Sequence, residues 1–321
     1  LLDAGYEVVG LDDHSKYGMV ERSFEAHPRF QDVVGDAKDV GLMKGLLADC
    51  DHFAAGAAII GGITLFHQRA YDLIAENERI TAAAFDAAIH AYKAGRLRKV
   101  TVVSSSMVFE NATTFPSKEG DQRNCPPPAS TYGFQKLAVE YFARGAYEQY
   151  GLPFTIARPF NCVGIGERRA RGGKEISSGN VKLAMSHVVP DLVQKVLKGQ
   201  DPLHVLGNGN QVRHYTYGAD LARGLRLCVE HPNALNEDFN LSTAASTTVL
   251  ELAELIWTKV HGGAKPFRYT SDRAFQYDVQ CRVPDVTKAK EFLGFEAKTS
   301  LDAILDEVIP WIAAQIELGV I

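Results

Sequence analysis

The side chains in this sequence best suited to moving a proton are a serine ending an apolar run and a tyrosine four residues before a lysine. Ser104-Ser105-Ser106 follows Val100-Thr101-Val102-Val103, and Tyr132 and Lys136 bracket Gly133-Phe134-Gln135. A phenol can take the proton of an alcohol once it is ionised. Its ordinary pKa is about 10, so a nearby positive charge must favour the phenolate. A serine hydroxyl alongside can hold the reacting hydroxyl. Together these groups form a proton-transfer unit for oxidising a sugar or an alcohol. The Tyr-x-x-x-Lys spacing alone is weak, because with 12 tyrosines a chance pair is expected in about every second such chain. Its weight must come from the elements that carry it.

Val100 to Val103 is the kind of β-branched run that forms a buried parallel strand. Ligands of open α/β sheets sit beyond the carboxyl ends of such strands. A helix predicted over about Ser130 to Tyr150 puts Tyr132 and Lys136 on one face. Upstream, Leu1 to Gly5 reads as a last helical turn with a glycine stop, and Tyr6 to Leu11 as a strand ending in Asp12-Asp13. Phe30 to Val34 is a strand leading to Gly35-Asp36, Val40 to Ala48 a short helix, and Cys50 to Ala58 a small-residue strand. The run Ala57-Ala58-Ile59-Ile60-Gly61-Gly62-Ile63 leaves room for close approach of a backbone. A long helix is expected over Leu65 to Ala94, and a further strand over Phe154 to Arg158. Strands alternating with helices predict an α/β fold with a Rossmann-type doubly wound parallel sheet. In such a unit an acidic residue ends the second strand about 20 residues after the glycine fingerprint. With Asp12 in that place, the first strand and the glycine loop are expected upstream of Leu1.

The 321 residues suffice for one large or two interleaved domains. A composition of 46% hydrophobic and 23% charged residues is that of a globular protein, and no apolar run approaches membrane-span length. A net charge of −5 gives no electrostatic reason to expect nucleic acid or an anionic membrane as partner. The five cysteines are scattered, with no close pair suggesting a metal site, so reduced thiols and a cytoplasmic location are expected.

Further motifs follow: Arg158-Pro159-Phe160-Asn161, then Gly207-Asn208-Gly209-Asn210-Gln211-Val212-Arg213, then Pro284-Asp285-Val286-Thr287-Lys288-Ala289. Amphipathic helices are expected over Val249 to Val260 and Leu301 to Ile316. Taken in order with Asp12, Gly35-Asp36, Gly61-Gly62, the serine trio and Tyr132-x-x-x-Lys136, these motifs make essentially the whole chain resemble a known family. It is the extended short-chain dehydrogenase/reductase family, specifically the NAD-dependent nucleotide-sugar epimerases and dehydratases. The resemblance implies an NAD-binding domain of residues 1–160 and about 200–242. A smaller interleaved α/β lobe, about 161–199 and 243–321, would bind the nucleotide sugar. It implies Ser105, Tyr132 and Lys136 as the catalytic residues, with Tyr132 and Lys136 also touching the cofactor. Asp12 would meet the adenosine ribose, Asp36 the adenine and Asn77 the nicotinamide ribose, with Ala57 and Ser104 as further cofactor contacts. A carboxylate at Asp12 repels a 2′-phosphate and so favours NAD over NADP. Ser106, Asn161, His187, Arg213 and Arg273 would contact the nucleotide-diphosphate sugar, the arginines through their planar donor forks. The basic, glycine-rich stretch Glu167 to Lys174 reads either as a cover for phosphates or as an exposed loop.

The two residues after Ser105 discriminate among reactions. Dehydratases of the resembled family carry an Asp-Glu pair there, and decarboxylases a glutamate at the second place. Here the residues are Ser106 and Met107, which cannot do carboxylate chemistry. Gly61-Gly62 and Ser186-His187-Val188-Val189-Pro190 resemble GDP-fucose synthases and GDP-mannose 3,5-epimerases, but the cysteine those enzymes pair with the histidine is replaced by Met107. The expectation is therefore a 4-epimerase working through a 4-keto sugar. A 3,5-epimerase or 4-reductase using His187 stands as the alternative, with a dehydratase or decarboxylase behind it. A non-catalytic NAD-sensing protein on the same fold is the alternative of another class. The resemblance also implies a homodimer formed through the two long helices.

Overall fold

Parallel strands that are apolar on both faces need cover on both, and helices from both halves of the chain supply it. The computed structural model describes residues 1–62, 68–171, 176–183, 187–274 and 278–321. Strands β1 (Val8–Asp12), β2 (Phe30–Val34), β3 (His52–Ala55), β4 (Lys99–Val103) and β5 (Phe154–Pro159) interleave with helices α1 (Val40–Leu47), α2 (Ala70–Lys93) and α3 (Thr131–Tyr150). After them come α4 (Val188–Leu197), β6 (Leu203–Leu206), α5 (Gly218–Glu230), β7 (Glu237–Leu241), α6 (Val249–His261), β8 (Tyr269–Asp272), α7 (Thr287–Leu293) and α8 (Leu301–Glu317).

The main sheet is parallel throughout, in the order β7-β5-β4-β3. Its period of two sorts side chains between two cores. Val100, Val102, Phe154 and Ile156 pack on Ala84, Phe85 and Ala88 of α2 and on Val139 and Ala143 of α3. Ala157, Phe239 and Leu241 pack on the other side against Leu221 and Cys228 of α5 and Leu293 of α7. Lys99 leaves β4 towards α5 and donates to the Cys228 carbonyl at 2.6 Å. Helices therefore cover both faces, as the alternation of elements predicts.

β1 and β2 form a separate parallel pair. A cleft of about 1060 Å³ runs between β1 and β3, lined by Val8, Val9 and Leu11 on one side and by His52 to Ala55 on the other. Among the described residues neither strand has a second ladder partner facing it.

Most expected elements stand where the sequence places them, with shorter bounds. The strand expected over Cys50 to Ala58 spans only His52–Ala55, because its ladder with β4 stops at the pair Ala55 and Val102. The long helix expected from Leu65 is α2, beginning at Ala70, and residues 63–67 lie outside the described residues. Gly5 ends a short 3-10 turn at φ +93°, the left-handed stop its position suggests.

The second lobe has its own core, in which Val193 of α4, Val205 of β6, Leu252 and Trp257 of α6, and Ile304 and Val308 of α8 meet. β6 and β8 pair in parallel. Leu203, Val205 and Tyr215 belong to this core, so the chain crosses back to the main sheet nearer residue 216 than residue 200. There Thr216–Tyr217 pairs with Cys162–Val163. All five cysteines are free. Among the described residues no helix is long and apolar enough to cross a membrane.

Candidate active site

The serine trio stands at the carboxyl end of β4, and each member is used differently. Ser104 continues the face of Val100 and Val102, so its hydroxyl points under α3 and donates to Glu140 Oε1 at 2.7 Å. That side chain, expected at the cofactor, is instead committed to the helix. Ser105 is extended and caps a 3-10 turn over Ser106–Phe109, its Oγ accepting from the Met107 amide at 3.2 Å. Ser106 is buried inside that turn.

Tyr132 sits in the first turn of α3, and that turn is fixed by a relay. The Ser130 hydroxyl accepts from the Gly133 amide at 3.0 Å, capping the helix. The same hydroxyl donates to Glu110 Oε2 at 2.7 Å. Gly133 is needed where it stands. A Cβ there would come within 2.6 Å of Pro128 Cβ and 2.9 Å of the Met107 carbonyl oxygen. The turn is thereby pressed onto the end of β4, and the Tyr132 phenol hydrogen-bonds Ser105. Burial raises the pKa of this phenol, while the Ser105 hydrogen bond and the positive charge of Arg282 oppose the rise. One turn on, Lys136 donates to the Val103 carbonyl at 2.9 Å, with Nζ 6.0 Å from the centre of the Tyr132 ring. Burial pulls the ammonium down to about 8. Ser105, Tyr132 and Lys136 are thus brought together, with burial holding the pKa of the phenol above its ordinary value.

The strands beneath are tied to α3 by buried charges. Arg158 of β5 donates Nε to Glu140 Oε1 at 2.6 Å and a second nitrogen to Glu140 Oε2 at 2.7 Å. It also reaches Asp238 of β7 at 2.6 Å. The two carboxylates drive the Arg158 pKa up against its burial, and Arg158 with Lys288 drives Asp238 down.

The residues expected to hold NAD line one edge of the cleft. Leu11, Ala37, Ala57, Ala58 and Lys136 all border it. Asp12 and Asp36 stand half-exposed at the carboxyl ends of β1 and β2. Asp12 Oδ1 accepts from the His14 amide at 2.8 Å, and Oδ2 faces Arg22 at 3.6 Å. Asp36 accepts from the Lys38 amide at 2.9 Å. Exposed carboxylate oxygens suit ribose hydroxyls, and the small residues at Ala57 and Ala58 admit a flat ring, so this edge fits a dinucleotide. Asn77, expected at the nicotinamide ribose, holds the backbone of Ile59: its amide accepts from the Ile59 amide at 2.6 Å and donates to the Ile59 carbonyl at 3.0 Å. It pins the wall of the cleft and has both ends of its side chain occupied in doing so.

On the other side of the trio, Asn161 has φ +38° and accepts from Arg282 at 3.2 Å. Arg213 donates to the Val212 carbonyl at 2.9 Å and faces Asp278 at 3.5 Å. His187 is exposed, with Nδ1 2.6 Å from Glu167. Arg273 is exposed just beyond β8. Sequence reasoning missed Arg282. It reaches the Met107 sulfur at 2.8 Å, and its pKa is pulled down to about 9, first by burial and then by Arg213. Its only signal was its place two residues before Pro284-Asp285. Glu110 and Glu140 were missed as well, being lone acids in otherwise ordinary stretches.

The profile of the NAD dependent epimerase/dehydratase family matches residues 1–242. A UDP-N-acetyl-alpha-D-glucosaminuronate decarboxylase of Bacillus cytotoxicus is 29% identical over 79% of this chain and 74% of its own length. A dTDP-4-dehydro-6-deoxy-D-allose reductase of a Streptomyces species is 25% identical over 86% of the chain and 78% of the relative. Among solved structures, a UDP-glucose 4-epimerase of Thermotoga maritima, crystallised with UDP-glucose, superposes with a TM-score of 0.78 at 25% identity. That match covers 98% of this chain and 93% of the other.

Proposed function

The chain belongs to the NAD dependent epimerase/dehydratase family, and on that premise we propose that it epimerises a nucleotide-diphosphate sugar at C4. NAD, when bound, supplies the acceptor and donor of hydride. The other work falls to the chain. Tyr132 takes the proton of the 4-hydroxyl, which Ser105 holds by hydrogen bond, and later returns it to the same oxygen. Lys136 contributes the positive charge that favours the phenolate. Between the two transfers the 4-keto sugar turns to present its other face.

One observation carries this reading: among the described residues, the two side chains nearest Ser105 in sequence where a second acid or base would be sought, Met107 and Glu110, are both engaged. Met107 offers a thioether already reached by Arg282. Glu110, the carboxylate nearest in sequence, is bound to Ser130. Elimination of water and epimerisation beside a ketone each need a group that removes a proton from carbon. C4 epimerisation needs none, since the proton lost and regained belongs to oxygen. Turnover of UDP-glucose or UDP-glucuronic acid with NAD in deuterium oxide tests this. The 4-epimer should form with no deuterium on carbon, whereas loss of water or carbon dioxide would overturn the reading. Deuterium at C3 or C5 would instead support the 3,5-epimerase or 4-reductase reading, which the Glu167–His187 contact favours.

In the same reading, residues 1–160 with about 216–242 hold NAD, and the second lobe holds the nucleotide sugar through Asn161, Arg213, His187 and Arg273. The exposed aromatics Tyr71, Tyr141 and Tyr147 on α2 and α3 support a homodimer, which sedimentation measures. We place the activity in the cytoplasm, in keeping with five free cysteines.

A further inference from the structure

Arg282 is a cation enclosed beside the reacting groups without a counter-ion. One terminal nitrogen donates to Asn161 Oδ1 at 3.2 Å and the other to Met107 Sδ at 2.8 Å. Its Nε is shut off from solvent and has no hydrogen-bond partner. Among the described residues no carboxylate lies within ion-pair reach of it. The two acids whose fields it feels are engaged elsewhere, Glu110 with Ser130 and Asp278 with Arg213 and Gln211. A thioether is a weak acceptor, and Arg213 repels Arg282. Enclosing a guanidinium on such terms is unfavourable. An anion placed beside it recovers that cost.

The anion can be placed by geometry. Arg282 is close enough to Tyr132 that each shifts the other's pKa, and its sulfur contact belongs to the residue two after Ser105. If Tyr132 acts on O4, Arg282 faces the part of the sugar next to C4. In a hexopyranose the ring neighbours of C4 are C3, which bears a hydroxyl, and C5, which carries C6. Of the two only C6 can be a carboxylate, and the diphosphate leaves from C1 across the ring. We propose that Arg282 binds a C6 carboxylate, so that the preferred substrate is a nucleotide-linked uronic acid and not its neutral hexose. The planar fork of a guanidinium matches a carboxylate in two parallel hydrogen bonds. Nε and one terminal nitrogen would supply them once the sulfur contact is given up. This assignment of substrate class rests on one part of the reading above, that Tyr132 acts at O4.

The test reads binding apart from turnover. Dissociation constants of UDP-glucuronic acid and UDP-glucose are measured by calorimetry on the NAD-loaded full-length Tyr132→Phe protein, with and without Arg282→Gln. The acid should bind at least about 10-fold tighter than the neutral sugar. Arg282→Gln should weaken the acid by about 30-fold and the neutral sugar by less than about 3-fold. Equal weakening of both ligands, or preference for UDP-glucose, overturns the assignment. Should Arg282→Gln lose its fold by circular dichroism, Arg282→Lys decides. Keeping the charge without the fork, it should weaken the acid alone, and a parallel loss for both sugars again overturns the assignment. Product analysis of the enzyme with Tyr132 intact is separate. A pentose and carbon dioxide from UDP-glucuronic acid would end the C4-epimerase reading and leave the Arg282 assignment standing. A 4-epimer formed without the binding preference would do the reverse.

Discussion

Glu140 and Arg158 meet through two hydrogen bonds of 2.6 and 2.7 Å in the seam between α3 and the main sheet. Ser104 and Gln122 take further lone pairs of the same carboxylate. The pair lies one turn beyond Lys136 and so fixes how far α3 is pushed along β4. The helix that carries Tyr132 and Lys136 is held by charge as well as by apolar packing.

Removing one partner should therefore do great harm. Glu140→Ala leaves the Arg158 guanidinium buried beside Asp238 alone and should cost about 3–5 kcal/mol in urea unfolding. The double variant Glu140→Leu with Arg158→Met should recover much of that loss, because two apolar side chains need no partners.

Lys136 is predicted to lower stability where it serves catalysis. Its folded pKa of about 8 lies below the ordinary 10.5. Between those values the unfolded chain binds the proton more tightly, so stability from this group rises with pH from about 8 to 10.5 and is lowest below 8. Lys136→Met should stabilise the fold at pH 7 by about 1 kcal/mol, net of the lost Val103 hydrogen bond. That gain should shrink as pH climbs towards 10.5, while turnover is lost. Melting curves at pH 7 and pH 9.5 check the sign.

Ser105 lowers the Tyr132 pKa that burial raises. Turnover should rise with pH as the phenol ionises, and Ser105→Ala should move that rise to higher pH. It should also cut kcat at neutrality by about 10- to 100-fold, against about 1000-fold for Tyr132→Phe. A pH–rate profile distinguishes the shift from a uniform loss.

Gly133→Ala should lift the first turn of α3 off the end of β4. The added methyl meets Pro128 Cβ, Glu110 Oε2 and the Met107 carbonyl oxygen at 2.6, 2.7 and 2.9 Å. We expect about 1–3 kcal/mol of destabilisation. A fall in kcat exceeding that of a surface alanine substitution on α3 would show that the Ser105–Tyr132 contact has opened.

The fold was legible because its signals are local. The β-branched run at Val100 and the Gly5 stop each act within a few residues. Ser105, Tyr132 and Lys136 were legible as a motif, and the structure brings the three side chains together. The serine trio was half legible: its period of two already assigns Ser104 to the side of Val100 and Val102, away from Ser105. The clamp of Asn77 on Ile59 was not legible, because a helix asparagine gives no sign of which backbone it will hold. Arg282 and Asp238 were illegible for a deeper reason, since their partners lie 175 residues away at Met107 and 80 residues away at Arg158.

The distance from Arg158 to Asp238 bears on modularity. A segment ending near residue 160 contains Ser105, Tyr132, Lys136 and Glu140 yet lacks β7 with Asp238. In such a fragment Arg158 would lose one of its two carboxylates. The inheritable unit of this site therefore extends to about residue 242, past an entire excursion into the second lobe. Recombination or domain grafting that cuts at residue 160 would transplant the motif without its foundation.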